Sequence, residues 1–129
     1  MTELPPGWSI DYDRGPDCLM VRLRIPAQAE TAFSRKEGRL SNALWNLLEN
    51  HLTYRLVLEC DDAPTFGSEL IGELVDLRKR IHDRAGMLRI CGLSQENQSM
   101  LSAAEVAPHF AHYRDRRDAI LGGRPMHAK

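Results

Sequence analysis

Ser68 is the residue of this 129-residue chain whose setting best suits chemistry. It follows the apolar run Leu56-Val57-Leu58, the polar stretch Glu59-Cys60-Asp61-Asp62 and the turn-forming Ala63-Pro64-Thr65-Phe66-Gly67. After it comes a helical pattern, Glu69-Leu70-Ile71-Gly72-Glu73-Leu74. A hydroxyl at a helix start, just beyond the carboxyl end of a buried strand, meets free backbone N–H groups and partial positive charge that favour an anion. A serine so placed suits a regulatory role. The same serine also reads as an ordinary N-cap, whose loss costs about 1 kcal/mol. A nucleophilic serine would need a base and an orienting acid. Neither is evident, and Gly67-Ser68-Glu69-Leu70 lacks the flanking glycines of a nucleophile elbow.

Other polar residues read more simply. Asp61 and Asp62 are solvated turn residues that could face a partner, and no further ligands gather around them for a cation. His109 and His112 have a spacing that could bind metal from a helix. The segment after Pro108 reads as a short strand, however, which turns the two rings to opposite faces as surface histidines. His51 and His82 sit near helix C-termini, where they suit the dipole. Arg114, Arg116 and Arg117 read as a solvated helix face paired with Asp115 and Asp118. Cys18, Cys60 and Cys91 are odd in number and far apart, so they read as small buried hydrophobes in a reducing compartment. No metal site, no cofactor and no catalytic residue is expected.

The elements that must position Ser68 follow from periodicity. Trp8, Ile10 and Tyr12 alternate in one run, and Leu19, Val21, Leu23 and Ile25 in the next, with Asp13-Arg14-Gly15-Pro16-Asp17 between them. This predicts a β-hairpin with one face on the core and Arg22 and Arg24 on the other. A helix is expected to open at Ser41 as N-cap, with Leu40 and Trp45 as a hydrophobic staple and Leu44, Leu47, Leu48 and Leu52 as its buried stripe. Residues 54–60 read as an interior strand covered on both faces. From 69 to about 83, Leu70, Ile71, Leu74, Leu77 and Ile81 keep helical spacing, and Gly86 supplies the stop. Residues 87–91 form another strand. Ser94 caps a helix to about 104, a brief strand surrounds Phe110, and residues 115–121 form a last helix closed by Gly122-Gly123.

Strands alternating with helices imply an α/β fold. Its sheet is mostly parallel and mixed, with an N-terminal antiparallel hairpin edge and about four helices. Apolar content of 43% and charged content of 27% suit one globular domain. A formal net charge of −1 argues against direct nucleic-acid binding and against adhesion to anionic membranes. With no apolar run approaching a membrane span and no signal peptide, a cytoplasmic protein is expected.

The residues 56–61 and 65–74 resemble the core of a STAS domain, the fold of bacterial anti-sigma factor antagonists. Residues 84–94, with a helix end, a glycine, an apolar strand and a serine-capped helix, continue the likeness. So do Met100 to Val106, Phe110 and Asp118-Ala119-Ile120. The resemblance implies one STAS-like domain over residues 17–121, with residues 1–16 as an N-terminal strand and turn of the same domain and 122–129 as a flexible tail. In that family the loop after the third strand reads aspartate-serine-serine-glycine, and a partner kinase that is also an anti-sigma factor phosphorylates the first serine. Ser68 falls on that position and Gly72 on a later family glycine, while Gly67, Glu69 and Leu70 replace the aspartate, second serine and glycine.

The resemblance therefore implies a regulatory, non-enzymatic module in bacterial signal transduction and transcription regulation. Ser68 is its phosphoacceptor candidate, and Asp61, Asp62, Pro64, Thr65, Phe66, Gly67, Glu69 and Gly72 form its partner-binding surface. The implied partner is a kinase-type anti-sigma factor or related regulator, with the chain itself a monomer or weak homodimer. A phosphoryl group on Ser68 would carry about −1.5 to −2 charge where the helix dipole favours it, with Glu69 opposing it. The alternative is a phosphorylation-independent scaffold that binds a protein or small ligand.

Overall fold

Apolar residues on both sides of the central strands give the sheet two apolar faces, and each must be covered. The computed structural model describes residues 9–15, 17–24, 39–61 and 68–122. In chain order the elements are β1 (Ser9–Arg14), β2 (Leu19–Arg24), α1 (Arg39–Asn50), β3 (Arg55–Glu59), α2 (Ser68–Asp83), β4 (Met87–Cys91), α3 (Gln95–Ala103), a 3₁₀ turn (Ala107–His109), β5 (Ala111–Tyr113) and α4 (Arg116–Leu121). The strands lie in the order β1-β2-β3-β4-β5. β1 and β2 pair antiparallel, and every later neighbour is parallel. This is the expected α/β architecture, with the hairpin at one edge.

On the first face Leu19, Val21 and Leu23 of β2, Leu56 and Leu58 of β3 and Ile90 of β4 join the main core. Leu44 and Leu48 of α1, Leu74, Leu77 and Ile81 of α2, and Leu101 of α3 cover them. The opposite face carries a smaller cluster of Cys18, Met20, Val57, Cys91 and Tyr113, covered by Ala119 of α4. β3 is thus buried on both faces, as its unbroken apolar run predicts. All three cysteines are free and buried.

Several local expectations are corrected. α1 begins two residues before Ser41, so Ser41 is not its cap and Leu40 belongs to the helix and core rather than to a staple. The Ser41 N–H is one of the donors a helix start leaves unpaired, and Glu73 Oε1 of α2 accepts from it at 3.1 Å. Leu52 falls beyond α1 in a left-handed turn (φ 54°) and is 89% exposed, so it is no part of the buried stripe. Tyr12 is 49% exposed at the sheet edge, where its ring meets His51 edge-on at 5.0 Å instead of entering the core. The left-handed residue after α2 is Ala85, while Gly86 is needed for space: a Cβ there would stand 2.1 Å from the Tyr54 carbonyl oxygen.

The C-terminal third follows the sequence in outline. Ser94 caps α3, its side chain accepting from the Asn97 N–H, and Asp115 caps α4 by accepting from the Asp118 N–H. Gly122 closes α4 in the left-handed region. Pro108 lies inside the 3₁₀ turn, so the strand starts only at Ala111 and His109 is not on it. His112 on β5 is buried, not a surface residue, and its Nδ1 has no hydrogen-bond partner. Burial pushes its pKa below the ordinary histidine value.

Candidate functional site

Parallel strands followed by helices bring the carboxyl ends of β3, β4 and β5 and the amino end of α2 to one side of the sheet. In open α/β sheets this is the side where sites are built. The Cys60 N–H donates to the Cys91 carbonyl at 2.9 Å and the Gly92 N–H to the Tyr113 carbonyl at 3.3 Å, which ties the strand ends together. Asp61 is exposed at the end of β3, and its carboxylate lies against Gly92, where a Cβ would stand 2.4 Å from Oδ1 unless the carboxylate moved. Gly92 also has φ +72°, so two independent features favour glycine there.

Ser68 is the first residue of α2, the sixteen-residue helix that starts at this edge. Leu70 and Ile71, both in the core, anchor the helix within one turn of it. The leucine at position 70 therefore has a packing role. Gly72 lies half-buried on the same helix. Asp62, Pro64, Thr65, Phe66 and Gly67 fall outside the described residues. Of Ser68 and Glu69 the backbone position is described: both begin α2. The strand end, Asp61 and the start of α2 are thus the parts of the expected surface that the structure places.

Next to this edge lies a charge cluster that periodicity did not reveal. Glu59, the last residue of β3, is 2% exposed. Arg116 donates to its Oε2 from Nε at 2.9 Å and Nη2 at 2.5 Å, and from Nη1 to Asp13 at 2.9 Å. Arg22 of β2 donates to Glu59 Oε1 at 3.2 Å. Arg116 therefore does not lie on a solvated helix face, although Arg114 does pair with Asp115 and Asp118 as expected. The hydrogen bonds and charge of Glu59 raise the Arg116 pKa further, so the guanidinium stays charged. An acid closing a buried strand was the available signal, because such a carboxylate requires partners. Its partners come from β2 and α4, with Asp13 of β1 sharing Arg116, and no local pattern names them.

Among the described residues the cluster joins two carboxylates and two guanidiniums, and it fixes α4 to the sheet. Arg89 holds the other end of α4 by donating to the Ala119 carbonyl at 2.8 Å, with its guanidinium 5.8 Å from the Tyr113 ring centroid. No thiolate is available nearby. Burial, with Glu59 adding to it, pushes the Cys91 thiol up to about 12, and burial also raises Cys60 and Cys18. Among the described residues no group of three histidine, cysteine or acidic side chains could hold a metal ion. No helix among them is long and apolar enough to cross a membrane.

The fold so defined is STAS-like: a five-stranded mixed sheet with an antiparallel β1–β2 edge and helices on both faces. Solved structures carry the comparison. An anti-sigma factor antagonist from Mycobacterium paratuberculosis superposes with a TM-score of 0.69 at 13% identity, covering 92% of this chain and 96% of that one. A candidate anti-sigma factor antagonist from Thermotoga maritima gives 0.70 at 13% identity, over 88% of this chain and 92% of its own. A STAS domain protein described as an anti-sigma factor antagonist from Planctomyces limnophilus gives 0.59 at 18% identity, over 88% and 96%. No family model and no curated protein sequence matches the chain.

Proposed function

We propose that this protein is a regulatory binding module of the anti-sigma factor antagonist type, formed by residues 17–121 with the β1 edge and acting in the cytoplasm. Its partner is a kinase-type anti-sigma factor or a related regulator. The contact surface is the segment from Asp61 to Gly67 with Glu69 and Gly72 on the first turns of α2, and Ser68 is the phosphoacceptor. One observation carries this reading. Ser68 opens a long, core-anchored helix at the carboxyl edge of a STAS-like sheet. A phosphoryl group there is favoured by the helix N-terminus and changes the charge and desolvation cost of the docking face.

The test is incubation with ATP and each kinase-type anti-sigma factor of the source genome, read by intact mass. One phosphate on the wild type and none on Ser68→Ala is the expected result. An unmodified wild type with every kinase of this type sinks the switch.

The immediate setting of Ser68 supports a second reading. Glu69 places a negative charge beside the serine, and Gly67 removes the acid that usually precedes it. A scaffold that docks its partner without phosphorylation fits these residues. Equal partner affinity of wild type, Ser68→Ala and Ser68→Asp selects it. A difference between the two variants selects the switch.

A further inference from the structure

The end of the molecule away from Ser68 carries a different kind of surface. Trp45 of α1 stacks on Tyr54, just before β3, with ring centroids 5.3 Å apart and planes at 30°. The Arg80 guanidinium lies 5.9 Å from the Trp45 ring centroid. Arg84 lies 5.9 Å from the same ring and 5.5 Å from that of Tyr54, with Nη1 3.5 Å from the Tyr54 hydroxyl. Both rings are half-buried, and both arginines and Lys79 are exposed. Leu52, 89% exposed, stands two residues before Tyr54.

Neither Arg80 nor Arg84 has a carboxylate partner among the described residues, although Asp83 is exposed between them. A guanidinium resting on an aromatic face is held in place while its N–H edge stays open to an acceptor. Tryptophan, tyrosine and arginine are also the residues that dominate protein–protein binding energy. Two such guanidiniums on one stacked, half-buried pair of rings make a preorganised anion-recognising face with apolar ring surface beside it.

We infer that the Trp45–Tyr54–Arg80–Arg84 cluster is a second docking surface, for an acidic segment of a partner protein that offers carboxylates to the two arginines and an apolar side chain to the half-buried rings. Charge complementarity selects the occupant. The patch is locally cationic, while the whole chain carries a formal net charge of −1, which disfavours a nucleic-acid polyanion or an anionic membrane. Arg80 lies twelve residues along α2 from Ser68, about 18 Å at the helical rise, so the two surfaces can be occupied together. The protein then serves as an adaptor, with its switch face at one end and this face at the other.

The test uses the full chain and a short synthetic peptide alternating glutamate and leucine, with the glutamine–leucine peptide as control. Calorimetry reads affinity, and the Trp45 indole signal in two-dimensional NMR reads location. The glutamate peptide is expected to bind and shift the indole, with affinity falling roughly thirtyfold in the Arg80→Glu/Arg84→Glu variant. Arg80→Gln/Arg84→Gln, which leaves the fold less perturbed, is expected to weaken binding in the same direction, and Ser68→Ala to leave it unchanged. No binding by the glutamate peptide, equal binding by the glutamine peptide, or undiminished affinity in folded arginine variants overturns the inference. Tighter binding of a single-stranded oligonucleotide than of the peptide also overturns it. None of these outcomes bears on whether Ser68 accepts phosphate.

Discussion

Arg116, on the first turn of the last helix, closes a two-point fork on Glu59, the final residue of the central strand. Fifty-seven residues separate them in sequence, and the carboxylate they share with Arg22 is withdrawn from water. Each depends on the others. Glu59 cannot stay buried without cations, and α4 has only six residues with which to hold itself on the sheet.

Removing the carboxylate is therefore expected to cost more than removing one arginine. Glu59→Ala removes the acceptor that ties both guanidiniums to the central strand, and because both are 37% exposed and Arg116 keeps Asp13 the expected loss is about 2 kcal/mol. Arg116→Lys keeps the charge but loses the fork, and its own partial exposure moderates the loss to about 1 kcal/mol. Urea denaturation of both variants checks the order, and an equal loss in the two contradicts it.

Glu73 joins α2 to α1 on the main face by accepting from the Ser41 N–H at the start of α1. Glu73→Ala leaves that donor buried without a partner and is expected to cost about 2 kcal/mol. Glu73→Gln keeps an acceptor and loses only the charge at the helix start, costing about 0.5 kcal/mol. Amide hydrogen exchange at Ser41 should quicken in the alanine variant first.

The two glycines flanking β4 resist substitution for different reasons. At Gly86 a new Cβ meets backbone, the Tyr54 carbonyl, which cannot move without shifting the start of β3. At Gly92 it meets the Asp61 carboxylate, a side chain that can swing away, so the positive φ remains as the main cost. Gly86→Ala is expected to lose about 3 kcal/mol and Gly92→Ala about 1 kcal/mol. The Asp61→Ala/Gly92→Ala double variant should recover little, and thermal unfolding reads all three.

His112 gives stability a pH dependence of known sign. Its folded pKa lies below the ordinary value of 6.5, so the unfolded chain binds the proton more tightly. Its contribution is level above that value and stability falls as the pH drops below it. His112→Leu should show a smaller loss of Tm between pH 7.5 and pH 5.5 than the wild type (both about one unit from the unperturbed value). An identical loss removes His112 as the cause.

Much of the fold was legible because its signals are local. The runs at 56–58 and 87–91, the stripe from Leu70 to Ile81, and the cap at Ser94 each declare an element through period or turn chemistry within a few residues. The mostly parallel sheet follows from alternating strands and helices, and the place of Ser68 at the start of α2 follows from the same reading. The setting of the start of α1 was not legible, because Ser41 looks like any capping serine until α2 brings Glu73 beside it.

Sequence alone therefore determined the α/β class, the order of elements and the serine at the carboxyl edge, all consequences of chain-local periodicity. Tertiary structure decided what periodicity is silent on. It buried His112, exposed Leu52 and Tyr12, took Arg116 from solvent to Glu59, and laid Arg80 and Arg84 over Trp45 and Tyr54. The physical reason is common to all of them. Burial and charge pairing depend on which distant segment arrives at a given face, and a side chain's own neighbours in sequence do not specify that arrival.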